Sequence, residues 1–118
     1  MCLDRKEYSI KRIALVNVVC YKFLIQNSDG TFKTPYQSTP VKIGEEYTAV
    51  MDYTDHNVFA GLHSFRSKKD CLFFSRNWNS NIKIVKCIIP FGSRYFKGRF
   101  DGFRGFASNK IKYIKEIV

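Results

Sequence analysis

The sequence predicts a single α+β domain with a mostly antiparallel, curved sheet and one or two short helices. Three observations predict this fold: apolar runs rich in β-branched and aromatic residues, turn signals between them, and one segment that begins like a helix. The chain has 118 residues, of which 45% are hydrophobic and 16% aromatic, so it is able to bury a core. No repeat or linker divides it, and we therefore treat residues 1–118 as one domain.

The first half of the chain contains strand signals separated by turns. Residues 13–25 form an apolar run that ends at the turn signal NSDG, which predicts a long strand entering a hairpin. The segment TFKTPY predicts a short return strand, and Pro35 and Pro40 make the following connection irregular or place it at a sheet edge. Residues 41–53 then have a strand-like composition interrupted at Gly44, which predicts a second short β element.

The second half contains the one good helix candidate. The strand-like GLHSF leads into it, and Ser67 with Asp70 forms a capping box of the S-x-x-D kind. Residues 82–89 predict a buried strand that Pro90 ends, because proline has no N–H to donate to a ladder. Glycines punctuate residues 92–105, which predicts a loop with one short strand inside. Residues 110–118 alternate as a last strand.

The formal net charge of +10 lies entirely in the second half. Residues 1–65 contain seven Lys and Arg against seven Asp and Glu, whereas residues 66–118 contain thirteen against three. Such an excess favours an anionic partner: nucleic acid, a nucleotide, a lipid surface or an acidic protein. Two arrangements stay open at this point, one basic face or groove and a set of cations scattered around the surface.

The segment RYFKGRFDGFRGFASNK interleaves cations with aromatic rings. This pattern favours contact with nucleic acid or a nucleotide, because cations neutralise phosphates while rings stack on bases. We expect Tyr95 or Phe96, and Phe106, to pack inward, and the other rings to be exposed. A self-contained cation–π loop is an equally good interpretation. With two lysines at the helix start, the predicted ligand-binding residues are Arg94, Lys97, Arg99, Arg104, Phe100, Phe103, Lys68 and Lys69.

Few residues have a pattern typical of catalysis. His63 shares a strand face with Phe65, as a core histidine does, and His56 lies in a polar loop. Asp101, before Gly102, is typical of a turn. The sequence therefore predicts no catalytic residue, no metal ligands and no cofactor. A small enzyme acting on nucleotides, built on His63 and Asp101, is kept as the third functional hypothesis.

The cysteines and the N-terminus bear on location. The four cysteines show no CxxC pair, so we interpret them as free thiols, with Cys20 and Cys87 buried in apolar runs. The N-terminal MCLDRKEYSIKR carries charges where a signal peptide is apolar, and no apolar run approaches the roughly 18 residues of a membrane span. These features predict a soluble cytoplasmic protein, in the host cytoplasm if it is viral, with no membrane partner.

Two segments, 61–74 and 86–111, together resemble a family of short uncharacterised proteins from bacteriophages and gut bacteria. The pattern is a glycine–histidine strand, a helix, an isoleucine–proline–glycine turn, a tyrosine–glycine pair, and an alanine–serine before the last strand. The matching positions are Gly61, His63, Ile89, Pro90, Gly92, Tyr95, Gly98, Ala107 and Ser108. Phe91 stands where the pattern has lysine. The resemblance implies a small phage-type accessory protein and no particular chemistry.

Together these observations predict a non-enzymatic binding protein that holds a polyanion, either nucleic acid or a nucleotide, on its C-terminal half. The alternative is an interaction module or inhibitor that docks on an acidic host or virion protein, where the same cations steer association. The sequence makes no prediction of the oligomeric state.

Overall fold

The two longest strands, β3 (Val18–Gln26) and β10 (Ile82–Ile89), pair antiparallel along nearly their whole lengths. Both were predicted from their apolar runs, and β10 ends directly before Pro90 as expected. The computed structural model describes residues 3–4, 10–54, 57–78 and 81–117, so Cys2 and His56 lie outside the described residues.

The described residues form thirteen strands, and every pairing between them is antiparallel. The other long strands are β11 (Arg94–Phe100), β12 (Phe103–Ser108) and β13 (Lys110–Glu116). The short strands are β1 (Leu3–Asp4), β2 (Arg12–Ile13), β4 (Phe32–Lys33), β5 (Pro40–Val41), β6 (Glu46–Thr48), β7 (Asp52–Tyr53), β8 (Asn57–Ala60) and β9 (Leu62–Phe65).

The strand order is β6-β13-β10-β3-β9-β12-β11-β1-β8-β7, with β2 against β11 and the β4–β5 hairpin against β3. The prediction of a mostly antiparallel, curved sheet is therefore confirmed. One α-helix, α1 (Lys68–Phe74), and a 3-10 turn at Ser75–Asn77 are the helical elements of the described residues, so the molecule is mostly sheet.

The sheet buries side chains on both of its faces. One face, which we call the cysteine face, holds a cluster that includes Cys20, Leu24, Cys87, Phe106 and Tyr113. The other, which we call the helix face, holds a cluster that includes Phe23, Phe65, Ile84, Phe96 and Phe100. Because both faces are packed, many strands read as apolar throughout and lack the alternation of a half-exposed sheet.

Helix α1 covers the helix face. Ser67 is its N-cap and accepts a hydrogen bond from the Asp70 backbone N–H at 3.1 Å, as the capping box predicted. Cys71 and Phe74 pack against the cluster of that face. The helix prediction is thus confirmed at its start.

Residues 94–108 form a hairpin, so the prediction of a loop with one short strand was wrong. β11 and β12 pair along their lengths, and Asp101 with Gly102 makes the two-residue turn between them. These two residues have φ of 48° and 87°, and a positive φ at both central positions is typical of the type I′ turns that join twisted strands. The expectation that Asp101 is a turn residue is confirmed.

Two glycines explain why this segment has the composition of a loop. Gly98 and Gly105 lie directly across from each other in the hairpin. A Cβ at Gly105 would collide with the Phe100 ring and lie 2.7 Å from the Ser64 carbonyl oxygen, and a Cβ at Gly98 would lie 2.7 Å from Leu3. The glycines therefore make room for core side chains and for close strand approach.

Candidate nucleic-acid interface

Alternation along the β11–β12 hairpin places three predicted cations on the cysteine face. Lys97 lies directly across from Phe106, and Arg99 directly across from Arg104. Residues that face each other in an antiparallel pair have Cβ atoms about 5 Å apart on the same side. The Arg99 guanidinium donates a hydrogen bond to the Gly102 carbonyl oxygen at 3.0 Å, which holds its side chain near the turn.

Two arginines that the sequence analysis did not single out extend this group. Arg12, in β2, lies directly across from Tyr95. At the end of β9 the Arg66 backbone N–H donates to the Arg104 carbonyl oxygen at 3.1 Å, which places their side chains on the same face. We call the set the basic face: Arg12, Arg66, Lys97, Arg99 and Arg104.

The position of Lys97 shows how close these charges are. Its pKa is lowered, first by partial burial and then by the positive charges of Arg12 and Arg66. Asp4 lies directly across from Arg99 in the β1–β11 pairing and is exposed, so a carboxylate stands at the margin of the group. The mutual repulsion of the cations favours binding of an anion on this face.

The two predicted stacking rings do not accompany the arginines. Phe100 is 1% exposed and belongs to the core, so its expected exposure is wrong. Phe100 lies directly across from Phe103, just as Arg99 lies directly across from Arg104. Because successive side chains of a strand point to opposite faces, both phenylalanines point to the helix face, away from the two arginines. Phe103 is partly buried there, with its ring centroid 5.5 Å from that of Phe73.

Other aromatic predictions are confirmed. Phe96 and Phe106 are buried. Tyr95 is partly buried and lies between Arg12 and Lys97 on the basic side of β11, with its ring in an edge contact with Phe106 at 5.8 Å. Phe106 is buried across from Lys97, so Tyr95 is the more exposed of these two rings beside the cations.

Three predicted cations lie away from the basic face. Arg94 is exposed at the start of β11 on the side of Phe96, which is the helix face. Lys68 and Lys69 are exposed in the first turn of α1, which packs on that same face. The structure therefore brings together Lys97, Arg99 and Arg104 of the eight predicted residues.

A second group of lysines lies on the helix face, on strands β10 and β13. Lys86 and Lys115 lie directly across from each other, and Lys112 faces Ile88. The excess positive charge is thus divided between two surfaces of the sheet. A lysine pair on the other surface provides a matched control for any test of the basic face.

His63 behaves as a core histidine, as predicted. It is partly buried, and its ring centroid lies 5.3 Å from that of Phe100. Its Nδ1 is 3.2 Å from the Gly61 carbonyl oxygen and its Nε2 is 3.4 Å from that of Val58. Burial, with the positive charge of Lys22 adding to it, lowers the pKa of His63 to about 4, so the ring is neutral at neutral pH.

Asp101 and His63 do not share a site. Asp101 lines a cavity with Phe103 and Trp78, whereas His63 lines the cavity that holds Lys22 and Leu62. Acid–base chemistry requires both groups within reach of one substrate. The geometry therefore gives no support to an enzyme built on these two residues.

The three described cysteines are free and buried, which confirms the prediction for Cys20 and Cys87. Burial raises the pKa of Cys20 to about 11 and that of Cys71 to about 12. The thiols are therefore protonated at neutral pH and are poor nucleophiles. Within the described ranges, no group of three or more His, Cys, Asp and Glu residues is placed to hold a metal ion.

Comparison with known proteins found no match for this chain. No protein family matches the chain, and neither does any curated protein or solved structure. The resemblance to the phage family stays a prediction. In the part of the chain that the structure describes, no helix is long and apolar enough to cross a membrane.

Proposed function

We propose that this chain is a non-enzymatic binding protein that holds a nucleic-acid strand against its basic face. The observation that carries the proposal is the convergence of five cations from β2, β11, β12 and the end of β9 on one side of the sheet. A phage-type accessory role is part of the same proposal and rests on the resemblance of residues 61–74 and 86–111.

The spread of the cations favours a strand over a single nucleotide. Four neighbouring strands at about 4.8 Å spacing extend over roughly 14 Å, which is more than one phosphate group spans. Lys97 and Arg99 are two residues apart on β11, about 7 Å along the strand. The cations are thus spread both across the strands and along β11. This spread suits a nucleic-acid backbone with several phosphates, each of which releases counterions when it binds.

Tyr95 supplies the aromatic component. It lies on the same side of β11 as Lys97 and across from Arg12. A base that stacks on this ring would lie beside cations that contact the adjacent phosphates. Arginine suits this role because its planar guanidinium binds phosphate oxygens in pairs.

The test is fluorescence anisotropy of labelled oligothymidylate and of its duplex, titrated with nuclease-treated protein. Arg12 and Arg104 are exposed, so the double variant Arg12→Glu/Arg104→Glu should keep its fold and lose more than about tenfold in affinity at low salt. The matched control is Lys86→Glu/Lys115→Glu on the other surface, which should lose much less. Equal losses in the two variants would refute the assignment to the basic face.

An acidic protein partner is the second candidate, because one end of the sheet exposes apolar side chains. Leu15, Val16 and Phe91 are 79%, 68% and 70% exposed. The Phe91 backbone N–H donates to Asn17 Oδ1 at 2.9 Å, which holds the two loops side by side. Contiguous exposed apolar groups are typical of protein contact surfaces, and nearby cations would steer an acidic partner toward them.

The double variant Leu15→Ser/Phe91→Ser distinguishes the two candidates. If a protein partner binds the exposed apolar end of the sheet, the wild-type chain will form a complex that survives nuclease treatment. The variant will lose this complex and keep oligonucleotide binding. If the variant retains every partner that the wild-type chain binds, the apolar end of the sheet plays no part in binding. The proposal of an acidic protein partner then fails.

A further inference from the structure

A cleft opens where β3 and β9 separate. The two strands pair only at Tyr21 and Phe65, and β3 next pairs with β4 at Ile25 and Lys33. A cavity of about 310 Å³ lies in the gap, enclosed by β3, β9, the β4–β5 connection and β6. This volume is at the lower end of the range for small-molecule sites.

The backbone of Phe23 points into this cleft. The Gln26 N–H donates to the Asn81 carbonyl oxygen on the β10 side, and the β3–β10 register is continuous. Alternation therefore turns the backbone groups of Tyr21, Phe23 and Ile25 away from β10. Tyr21 and Ile25 have strand partners on that side, whereas the described strand register gives Phe23 no partner there. Phe23 is 3% exposed, and buried backbone groups require a hydrogen-bond partner.

Lys22 adds a positive charge to the same place. Its side chain is partly buried and lines the cleft, and it forms no ion pair with any carboxylate in the described part of the chain. Burial lowers its pKa. An ammonium group without a counter-ion is costly when it is partly removed from water, so a bound anion would stabilise it.

Apolar side chains form much of the rest of the cleft wall. Leu62, Phe65 and Tyr36 line it, and His63, also in the wall, is neutral. Lys22, the cation in this wall, matches a group of one negative charge. A carboxylate fits this better than a doubly charged phosphate, and the apolar walls suit a flat ring system.

We propose that the cleft between β3 and β9 binds a small organic carboxylate with a flat apolar body. The carboxylate lies between the Lys22 ammonium and the Phe23 backbone N–H, and the ring lies against Leu62 and Phe65. This site is separate from the basic face, so each proposal stands or fails without the other.

The test is a titration of the full-length, isotopically labelled chain with 2-naphthoate, followed by amide and methyl NMR shifts. The uncharged 2-naphthamide has the same ring system and serves as the control ligand for the effect of the negative charge. We expect saturable shifts at Phe23, Leu62 and His63, with naphthamide weaker by about tenfold or more. Shifts that cluster on Arg12, Arg66 and Lys97 would instead assign naphthoate to the basic face and overturn the proposal.

Two variants complete the experiment. Lys22→Met removes the charge and keeps a similar shape, and it should reduce the preference for naphthoate over naphthamide to about one. Lys86→Met removes a lysine from β10 on the helix face and should leave that preference unchanged. The ratio is measured within each protein, so it stays informative if a variant is less stable. An unchanged ratio in Lys22→Met, or equal binding of the two ligands to the wild-type chain, would refute the site.

Discussion

Arg99 and Arg104 lie directly across from each other in the β11–β12 hairpin. Like charges that face each other on a sheet destabilise it, by about 0.2–1 kcal/mol. The variant Arg104→Thr should therefore raise the free energy of unfolding by that amount in urea denaturation, because threonine also suits a strand. The same variant should bind oligonucleotide more weakly, since it removes one phosphate contact.

The control for this prediction is Lys110→Thr. Lys110 is exposed and faces Thr48 rather than a cation, so its replacement removes a charge without removing a facing repulsion. If both variants gain the same stability, the gain comes from net charge alone and the facing pair is not its source.

Gly105→Ala should destabilise the fold by about 1–3 kcal/mol or more, as overpacking does in a core. The added Cβ would collide with the Phe100 ring and with the Ser64 carbonyl oxygen. Thermal unfolding measures the effect. The double variant Gly105→Ala/Phe100→Leu should recover part of the loss, because the smaller side chain vacates that space. No recovery would mean that the Phe100 ring is not what excludes a Cβ.

Local patterns in the sequence were sufficient to predict β3, β10 and the start of α1. An apolar run, a proline stop and a capping box each act within a few residues, so neighbouring residues carry the whole signal. The hairpin at 94–108 was missed for a different reason. Its glycines face each other across the strands and its apolar side chains fill both faces, so it has the composition of a loop. The Asp101–Gly102 pair was the available signal for its turn.

Tertiary arrangement determines the rest of the candidate sites. Arg12 and Arg66 join the basic face because β2 and β9 flank the hairpin, which no local pattern reveals. The prediction that Phe100 contacts a ligand was wrong because strand alternation points its side chain into the core. Lys22 lies within an apolar run, and the separation of β3 from β9 that exposes it to a cleft depends on pairings between distant residues.

Stability should depend on pH through His63. The pKa of His63 is about 4 in the folded chain, against an ordinary value of 6.5, so the unfolded state binds more protons between these values. Stability is therefore full above about pH 6.5 and falls as the pH drops toward 4, by up to about 3 kcal/mol. Urea denaturation between pH 4.5 and 7.5, a range set by roughly the same two values, measures the slope.

The variant His63→Phe separates this effect from that of the carboxylates. Phenylalanine has no titratable group and keeps a ring against Phe100. The difference between the two pH profiles gives the contribution of His63. Parallel profiles would show that His63 is protonated as readily in the folded as in the unfolded chain.

Asp101 should act as a turn residue. Its φ of 48° is accessible to asparagine and costly for a β-branched side chain. Asp101→Asn should leave stability and oligonucleotide binding unchanged, whereas Asp101→Val should destabilise the hairpin by about 1–3 kcal/mol. Loss of function in Asp101→Asn without loss of stability would contradict this assignment and revive a chemical role for the carboxylate.

Lys22→Met should stabilise the protein. Lys22 forms no ion pair with a described carboxylate, and burial lowers its pKa, so its charged form loses hydration without an ionic partner. Replacement of a poorly compensated buried charge by an apolar side chain is often stabilising, by about 1–4 kcal/mol. A higher melting temperature for Lys22→Met than for Lys86→Met is the expected result. A lower one would show that the Lys22 ammonium is well solvated in the cleft.

The salt dependence of single-stranded oligonucleotide binding tests the central claim most directly. If all five cations of the basic face contact phosphates, log K should fall with log salt with a slope of about −3.5. The slope should become shallower by about 1.4 in Arg12→Glu/Arg104→Glu. A slope that is the same in the variant and the wild-type chain, or no saturable binding at about 50 mM salt, would contradict the claim that this face holds a nucleic-acid strand.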